Sequence, residues 1–359
     1  MKRKHFVFLL CLTLLIALCG GCGGQSTPER SGLTIGFSMA TLLEDRWLRD
    51  RDIFVAKAQQ LGITVHIRNA NKDSSVQLLQ VQELLETGID VLVIAPNDSI
   101  QEKQCVTAAK EKGVPVVLYD RFIHQSDADV FVTFNGEQVG EIMASYLLEK
   151  VPEGGYVFVN GSQNDNNSTM IRDGYMKRLQ PHINSGAVEV LAESWTEGWV
   201  REKAYDFVSG LIPTIGERIS AIICANDSLA WGVTDALTEA RLDNVEVVGM
   251  DADLSACQRI VRRKQGMTVY KPIRTLVEET LIICQELAES GSIEEYLQRN
   301  RLDANSHVTI TEIVDGSYTT PYVAIDVVMV TADTMEETVI SDGFHLKEDI
   351  YSQPDPESE

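Results

Sequence analysis

The chain has 359 residues, 44% of them hydrophobic, enough for two domains with cores of their own. Its formal net charge of -22 argues against nucleic acid or an anionic lipid surface as partner, because both would repel so acidic a protein.

Residues 1–22 read as an export segment. Lys2, Arg3 and Lys4 form a positive start, and Phe6 to Leu18 is an apolar stretch too short to span a bilayer. Cys19-Gly20-Gly21-Cys22-Gly23 follows, and small residues ahead of a cysteine resemble a bacterial lipoprotein cleavage site. Cys22 is the expected lipid acceptor, since Gly21 precedes it whereas bulky Leu18 precedes Cys19. Plain secretion with incidental cysteines is the alternative. Residues 23–32 are small and polar, a flexible tether. Cys105, Cys224, Cys257 and Cys284 lie in apolar patterns without CxxC spacing, and are expected as buried free thiols.

From Leu33 onward, strand-length apolar runs alternate with helical periodicity. Strands are predicted at 34–39, 64–69, 91–95, 114–119 and 130–134, with helices at 45–61, 74–86 and 101–112 between the first four. The alternation then restarts, with helices at 138–151, 169–179, 201–211, 229–240 and 254–264. Strands at 156–160, 188–193, 221–225, 247–250 and 267–270 separate them. A helix over 272–289 and strand-like stretches at 306–313 and 322–330 close the chain, before an acidic, Pro-containing tail at 349–359. This is the α/β class: two successive sheets of similar size, each parallel and flanked by helices.

In a parallel α/β sheet the ligand crevice lies just past the carboxyl ends of the strands. Polar and aromatic residues recur at that position. Arg46 and Trp47 follow the first strand, and Asp120 and Arg121 follow 116–119. Asp165 and Asn167 follow 156–160, Trp195 and Trp199 follow the strand ending at Glu193, and Asn226 follows 221–225. Asp251 and Lys271 end the last two strands of the second sheet and face the same rim. Amide, carboxylate, guanidinium, ammonium and indole together suit a sugar. Carboxylates and amides take hydroxyls in pairs, cations donate to the remaining lone pairs, and Trp47 and Trp199 can cover apolar C–H faces. Each feature alone has a plainer reading: Asn226 as a helix N-cap, Asp120-Arg121 as an ion pair, the tryptophans as loop packing.

Signatures of catalysis are missing. The sequence holds no GxSxG, HExxH or GxxxxGK[ST] motif, its six histidines are scattered, and Asp251 and Asp253 do not begin a calcium loop. Neither cofactor nor metal is called for.

With these residues in view, the chain resembles the bacterial D-xylose-binding proteins, periplasmic-binding-protein-like receptors of sugar ABC importers. The matching segments are Arg46 to Asp52, Tyr119-Asp120-Arg121, Asp165-Asn166-Asn167, Glu197-Gly198-Trp199, Ala225-Asn226-Asp227, Gly249 to Asp253, Thr268 to Pro272 and Ile340 to His345. The resemblance implies that Arg46, Arg121, Asp165, Asn167, Asn226, Asp251 and Lys271 hydrogen-bond the sugar and that Trp199 stacks on it. It also implies a type I, Venus-flytrap architecture of two similar lobes with three hinge crossings, near 134–135, 271–272 and 321–323. The lobes are then 33–134 with 272–321, and 135–271 with 322–346, followed by an acidic tail at 347–359. Met250, Trp231 and the apolar loop Ala40 to Leu43 depart from the family pattern.

The function this implies is a lipid-anchored receptor on the extracytoplasmic face of the cell membrane. It would bind an aldopentose, D-xylose first, and deliver it to an ABC permease. The alternative is a co-receptor that hands the sugar signal to a membrane histidine kinase, since one bilobed fold serves both.

Overall fold

The computed structural model describes residues 32–352 apart from 44, 304 and 305. Cys22 and the last seven residues lie outside the described residues. The first lobe begins with β1 (Thr34–Met39), α1 (Asp45–Gln60), β2 (Thr64–Asn69), α2 (Ser74–Glu86), β3 (Val91–Ala95), α3 (Lys103–Glu111), β4 (Val116–Tyr119) and β5 (Val130–Phe134). The second contains α4 (Gly136–Lys150), β6 (Gly154–Asn160), α5 (Asn166–Ser185), β7 (Val188–Trp195), α6 (Arg201–Ile215), β8 (Ile219–Cys224), α7 (Asp227–Glu239), β9 (Glu246–Met250), α8 (Leu254–Val261) and β10 (Met267–Tyr270). The chain then returns through α9 (Ile273–Ser290), α10 (Glu294–Leu302), β11 (Val308–Asp315) and β12 (Tyr318–Ile325), and crosses once more to β13 (Val328–Val330) and α11 (Lys347–Tyr351).

The strand order is β11-β12-β5-β4-β3-β1-β2 in one sheet and β13-β10-β9-β8-β6-β7 in the other. Read from the β2 and β7 edges, the two sheets share one winding: second strand, first, third, fourth, fifth. Pairing is parallel except at the β11–β12 hairpin and the β10–β13 edge. Both faces are covered by helices, so central strands such as β3 and β4 are buried along their whole length and read as continuous apolar runs. Cys105, Cys224, Cys257 and Cys284 are buried free thiols within these cores.

Three expectations need correction. The third crossing does not fall at 321–323. Tyr322 to Ile325 pair in register with Phe131 to Phe134, so β12 belongs wholly to the first sheet and the chain crosses at Asp326–Val327. The stretch 322–330 looked like one strand because only two residues separate strands of different sheets. The tail also begins later than residue 347. Lys347–Tyr351 is helical, with Ile350 fully buried beside α8, and the side chains of Gln258 and Arg262 donate to the carbonyls of Asp349 and Ser352 at 2.8 Å. Finally, α5 and α6 run on through Pro181 and Pro213. Each proline removes one helical donor, and packing outweighs that local loss.

Helices α4 and α5 meet backbone to backbone. A Cβ at Gly140 would lie 2.0 Å from the Ile171 carbonyl oxygen, and one at Gly174 would lie 2.0 Å from that of Glu137. The closest partners are main-chain atoms, which cannot rotate away. Gly140→Ala is therefore expected to lower the unfolding free energy by about 1–3 kcal/mol through overpacking, read from urea denaturation.

Candidate functional site

The parallel strands aim their carboxyl ends at one cleft between the lobes. A cavity of about 90 Å³ lies there, against the roughly 10–15 Å³ that one water requires. Ten of the residues singled out at strand ends line it, Arg46, Trp47, Asp120, Arg121, Asp165, Asn167, Trp199, Asn226, Asp251 and Lys271, whereas Trp195 does not. Ser228, Met250 and Asp253 complete the lining.

The first lobe contributes a buried charge cluster. Arg46, in the first turn of α1, donates twice to Asp120, from Nη1 at 2.9 Å and from Nη2 at 2.5 Å. Its Nε lies 3.4 Å from a carboxylate oxygen of Asp50, one helical turn further on. The Tyr119 hydroxyl donates to the other oxygen of Asp50 at 2.5 Å. Burial pushes Asp50 up to about 6 against the pull of Arg46. Burial acts in the same direction on Asp120, but Arg46, Lys271 and Arg121 outweigh it and hold that carboxylate down at about 2. Trp47 is only 3% exposed. The guanidinium carbons of Arg46 and Arg121 lie 4.6 and 5.0 Å from its ring centroid, so two cations pack on the ring.

The second lobe contributes turns and helix starts. Asp165 caps α5 by accepting from Asn167 N at 3.0 Å, and Asn226 caps α7 by accepting from Leu229 N at 3.0 Å. Capping uses one side-chain oxygen of each, so the cap reading and the lining role hold together. Trp199 ends a short 3-10 turn after β7 and lies against the Gly161 backbone, where a Cβ would come within 2.3 Å of its ring. Its indole N–H is buried and has no hydrogen-bond partner among the described residues. Asp251 and Lys271, which end neighbouring strands, form an ion pair at 2.7 Å. The Lys271 ammonium also lies 5.4 Å from the Phe134 ring centroid, at the first crossing.

Cavity-lining residues of the two lobes also touch each other. Arg121 Nε lies 3.3 Å from Asp165, and the Asn167 side-chain amide donates to the Asp120 carbonyl at 2.9 Å. Asp165 is pushed above its ordinary range by burial, with Arg121 opposing.

Sequence reasoning missed the support behind the lining. Asp227 is buried beneath the Asp251 turn. One oxygen accepts from Gln265 at 2.8 Å, and the other accepts from Thr268 at 2.8 Å and Asp253 N at 3.1 Å. Burial pushes it up to about 7, with Arg259 and these donors opposing. Its place next to Asn226 gave no sign of this role, which only the fold creates. Asp253 stands at the N-cap position of α8, but its side chain makes no capping bond. For Asp50, the signal was its four-residue spacing from Arg46. No cluster of His, Cys, Asp and Glu among the described residues could hold a metal.

Residues 35–292 match the model of a family described as "Periplasmic binding protein domain". The chain belongs to this family. It is 38% identical over 328 residues to the D-xylose-binding periplasmic protein of Haemophilus influenzae, covering 91% of this chain and 95% of that one. To the protein of the same name from Escherichia coli it is 33% identical over 351 residues, covering 98% and 100%. Among solved structures, a carbohydrate transporter solute-binding protein from Chloroflexus aurantiacus in complex with D-glucose superposes with a TM-score of 0.79. That pair is 25% identical, covering 89% of this chain and 98% of the other. The family is one of binding proteins, not of enzymes.

Asp120 is depressed from 3.8 to about 2, so its contribution to stability is present above pH 3.8 and lost as pH falls through about 2. Asp120→Asn is expected to flatten the stability profile in that window. It should also lower stability near neutral pH by about 3 kcal/mol, because it leaves buried cations uncompensated. Urea denaturation across a pH series reads both.

Proposed function

We propose that the protein is an extracytoplasmic, lipid-anchored receptor that captures an aldopentose, D-xylose in first place, and delivers it to an ABC importer. The observation that carries this reading is the lining of the cavity between the lobes. It offers carboxylates, amides, guanidinium groups, an ammonium and an indole at monosaccharide scale. Arg46, Arg121 and Lys271 face Asp120, Asp165, Asp251 and Asp253, so the charges nearly cancel. Such a lining favours a neutral ligand rich in hydroxyls over an ionic one. Each hydroxyl can donate to a carboxylate and accept from a cation, and a wrong sugar leaves buried polar groups unmatched. Trp199 provides the apolar surface for a sugar C–H face. The names of the Haemophilus and Escherichia relatives support xylose, and the Chloroflexus neighbour supports transport.

The mechanism follows from the division of the site. Arg46, Asp120 and Arg121 belong to the first lobe, and Asp165, Asn167, Trp199, Asn226 and Asp251 to the second. Neither lobe can satisfy all hydroxyls alone. A sugar that touches both favours the closed form by its differential affinity for closed over open. Closure excludes water, strengthens each polar contact and creates the outer surface that a membrane partner reads.

Calorimetric titration with pentoses and hexoses should give the tightest binding with D-xylose. Trp199→Ala and Asp251→Ala should each weaken it by about 1–3 kcal/mol. Sugar-free stability should change by no more than about 1–2 kcal/mol in Trp199→Ala, and should fall by about 3 kcal/mol in Asp251→Ala, which leaves the buried Lys271 ammonium without this partner. Xylose should also reduce the radius of gyration in solution scattering, and glucose should do so less. Wild-type binding by both variants, or coincident scattering curves, would contradict the site or the closure respectively.

The anchor rests on the glycines before Cys22, within the export segment. Intact mass of membrane-extracted protein is expected to show a diacylglyceryl-modified N-terminal Cys22. A fully soluble product with another N-terminus would rule the anchor out.

A further inference from the structure

The segment Ser341 to His345 lies outside the lining described above, yet it reaches the site from behind. Asp251 and Ala252 have φ of 107° and 52°, a region that non-glycine residues rarely occupy. Two such residues in succession are strained and persist only where their surroundings fix them. Three amides of this turn are held. Asp251 N donates to Val269 O at 2.9 Å, Ala252 N to the Thr268 hydroxyl at 3.1 Å, and Asp253 N to Asp227 at 3.1 Å. On the carbonyl side, Ala252 O lies 2.7 Å from His345 Nε2.

His345 is 6% exposed, and its Nδ1 lies 3.2 Å from Arg49 Nη2. A guanidinium only donates and a carbonyl only accepts. These two partners therefore put the imidazole proton on Nε2, with Nδ1 accepting from Arg49. Arg49 also donates to the Phe344 carbonyl at 2.5 Å, and its guanidinium carbon lies 4.5 Å from the Phe344 ring centroid. Arg49 stands on α1, one turn beyond Arg46. A polar line thus runs from a helix of the first lobe, through the end of the chain, to the turn that carries Asp251.

We propose that His345 and Arg49 are positioning residues. Seating of α1 against Phe344 and His345 fixes the strained Asp251–Ala252 turn and so aims the Asp251 carboxylate into the cavity. The inference rests on the binding role proposed for Asp251, but its test has an arm that needs no sugar.

Hydrogen exchange of the sugar-free protein should show faster exchange at the amides of Asp251, Ala252 and Asp253 in His345→Leu. Amides of the β8 core should keep the wild-type rate. His345→Gln, which can place an amide donor near the Nε2 position, should restore most of the protection. D-Xylose affinity should fall about tenfold in His345→Leu, through faster release, and by clearly less in His345→Gln. Arg49→Leu, at a less buried position, should reproduce the exchange pattern and serves if His345→Leu does not fold. Unchanged exchange at the three amides in folded His345→Leu, or in Arg49→Leu if that variant alone folds, overturns the proposal. So does equal protection in the leucine and glutamine variants. If the wild type binds no pentose, the proposed function fails while the exchange arm still decides the positioning role. If the wild type binds xylose and exchange is unchanged, the positioning role alone fails.

Discussion

Charges are buried where the two lobes meet, and a buried charge is tolerated only when it is paired and hydrogen-bonded. This constraint shapes the site. Arg46 is held by Asp120 on two nitrogens and flanked by Asp50, and Lys271 is held by Asp251. Arg121 pairs with Asp165 of the other lobe. Removing any one member strands a charge in a low-dielectric environment, so these residues act together. The cluster is also the reason that side chains as flexible as arginine and lysine can have fixed positions.

The pairing has a consequence for ligand choice. A cavity whose cations already hold carboxylate partners gains little from an anion and would have to break pairs to admit one. A neutral polyol can instead insert donors and acceptors without leaving a net charge. Two of the contacts between lobes, Arg121 to Asp165 and Asn167 to the Asp120 carbonyl, are made by cavity-lining groups. If these groups meet the sugar as proposed, they also sense how the lobes sit, and binding would favour closure without a separate transmission device.

Much of this was legible in the sequence, for a definite reason. In a doubly wound fold the residue after a strand is placed by topology, so strand prediction locates the site. Arg46, Asp120, Asp165, Asn226, Asp251 and Lys271 were found in this way, and all line one cavity. What depends on packing between distant segments was not legible. The buried Asp227 is tied to Gln265 and Thr268, 38 and 41 residues away in sequence, and no local pattern announces that. The backbone contact at Gly140 and Gly174 is equally silent. The third crossing was misplaced because β12 and β13 are separated by only Asp326 and Val327, and both flanks read as strand. The short helix at Lys347–Tyr351 was lost in an acidic stretch, where the single apolar anchor Ile350 was too weak a signal.

Backbone strain leads to the same site by another route. Asp120, Trp199 and Asp251, with φ of 64°, 56° and 107°, occupy left-handed or neighbouring conformations that local preference would give to glycine. All three line the cavity. Glycine would relieve the strain but would remove the carboxylate or the indole. A chain stabilised only for folding would place glycine or asparagine at such turns. Nine non-glycine residues among those described have positive φ, and the side chains of Asp120, Trp199 and Asp251 converge on one space. At these three, the strained backbone coincides with a side chain that faces the cavity. The strain also explains the density of support behind the second lobe's rim. Asp227, Thr268 and His345 all hydrogen-bond the backbone of residues 252–253. They hold in place a turn that its own sequence disfavours.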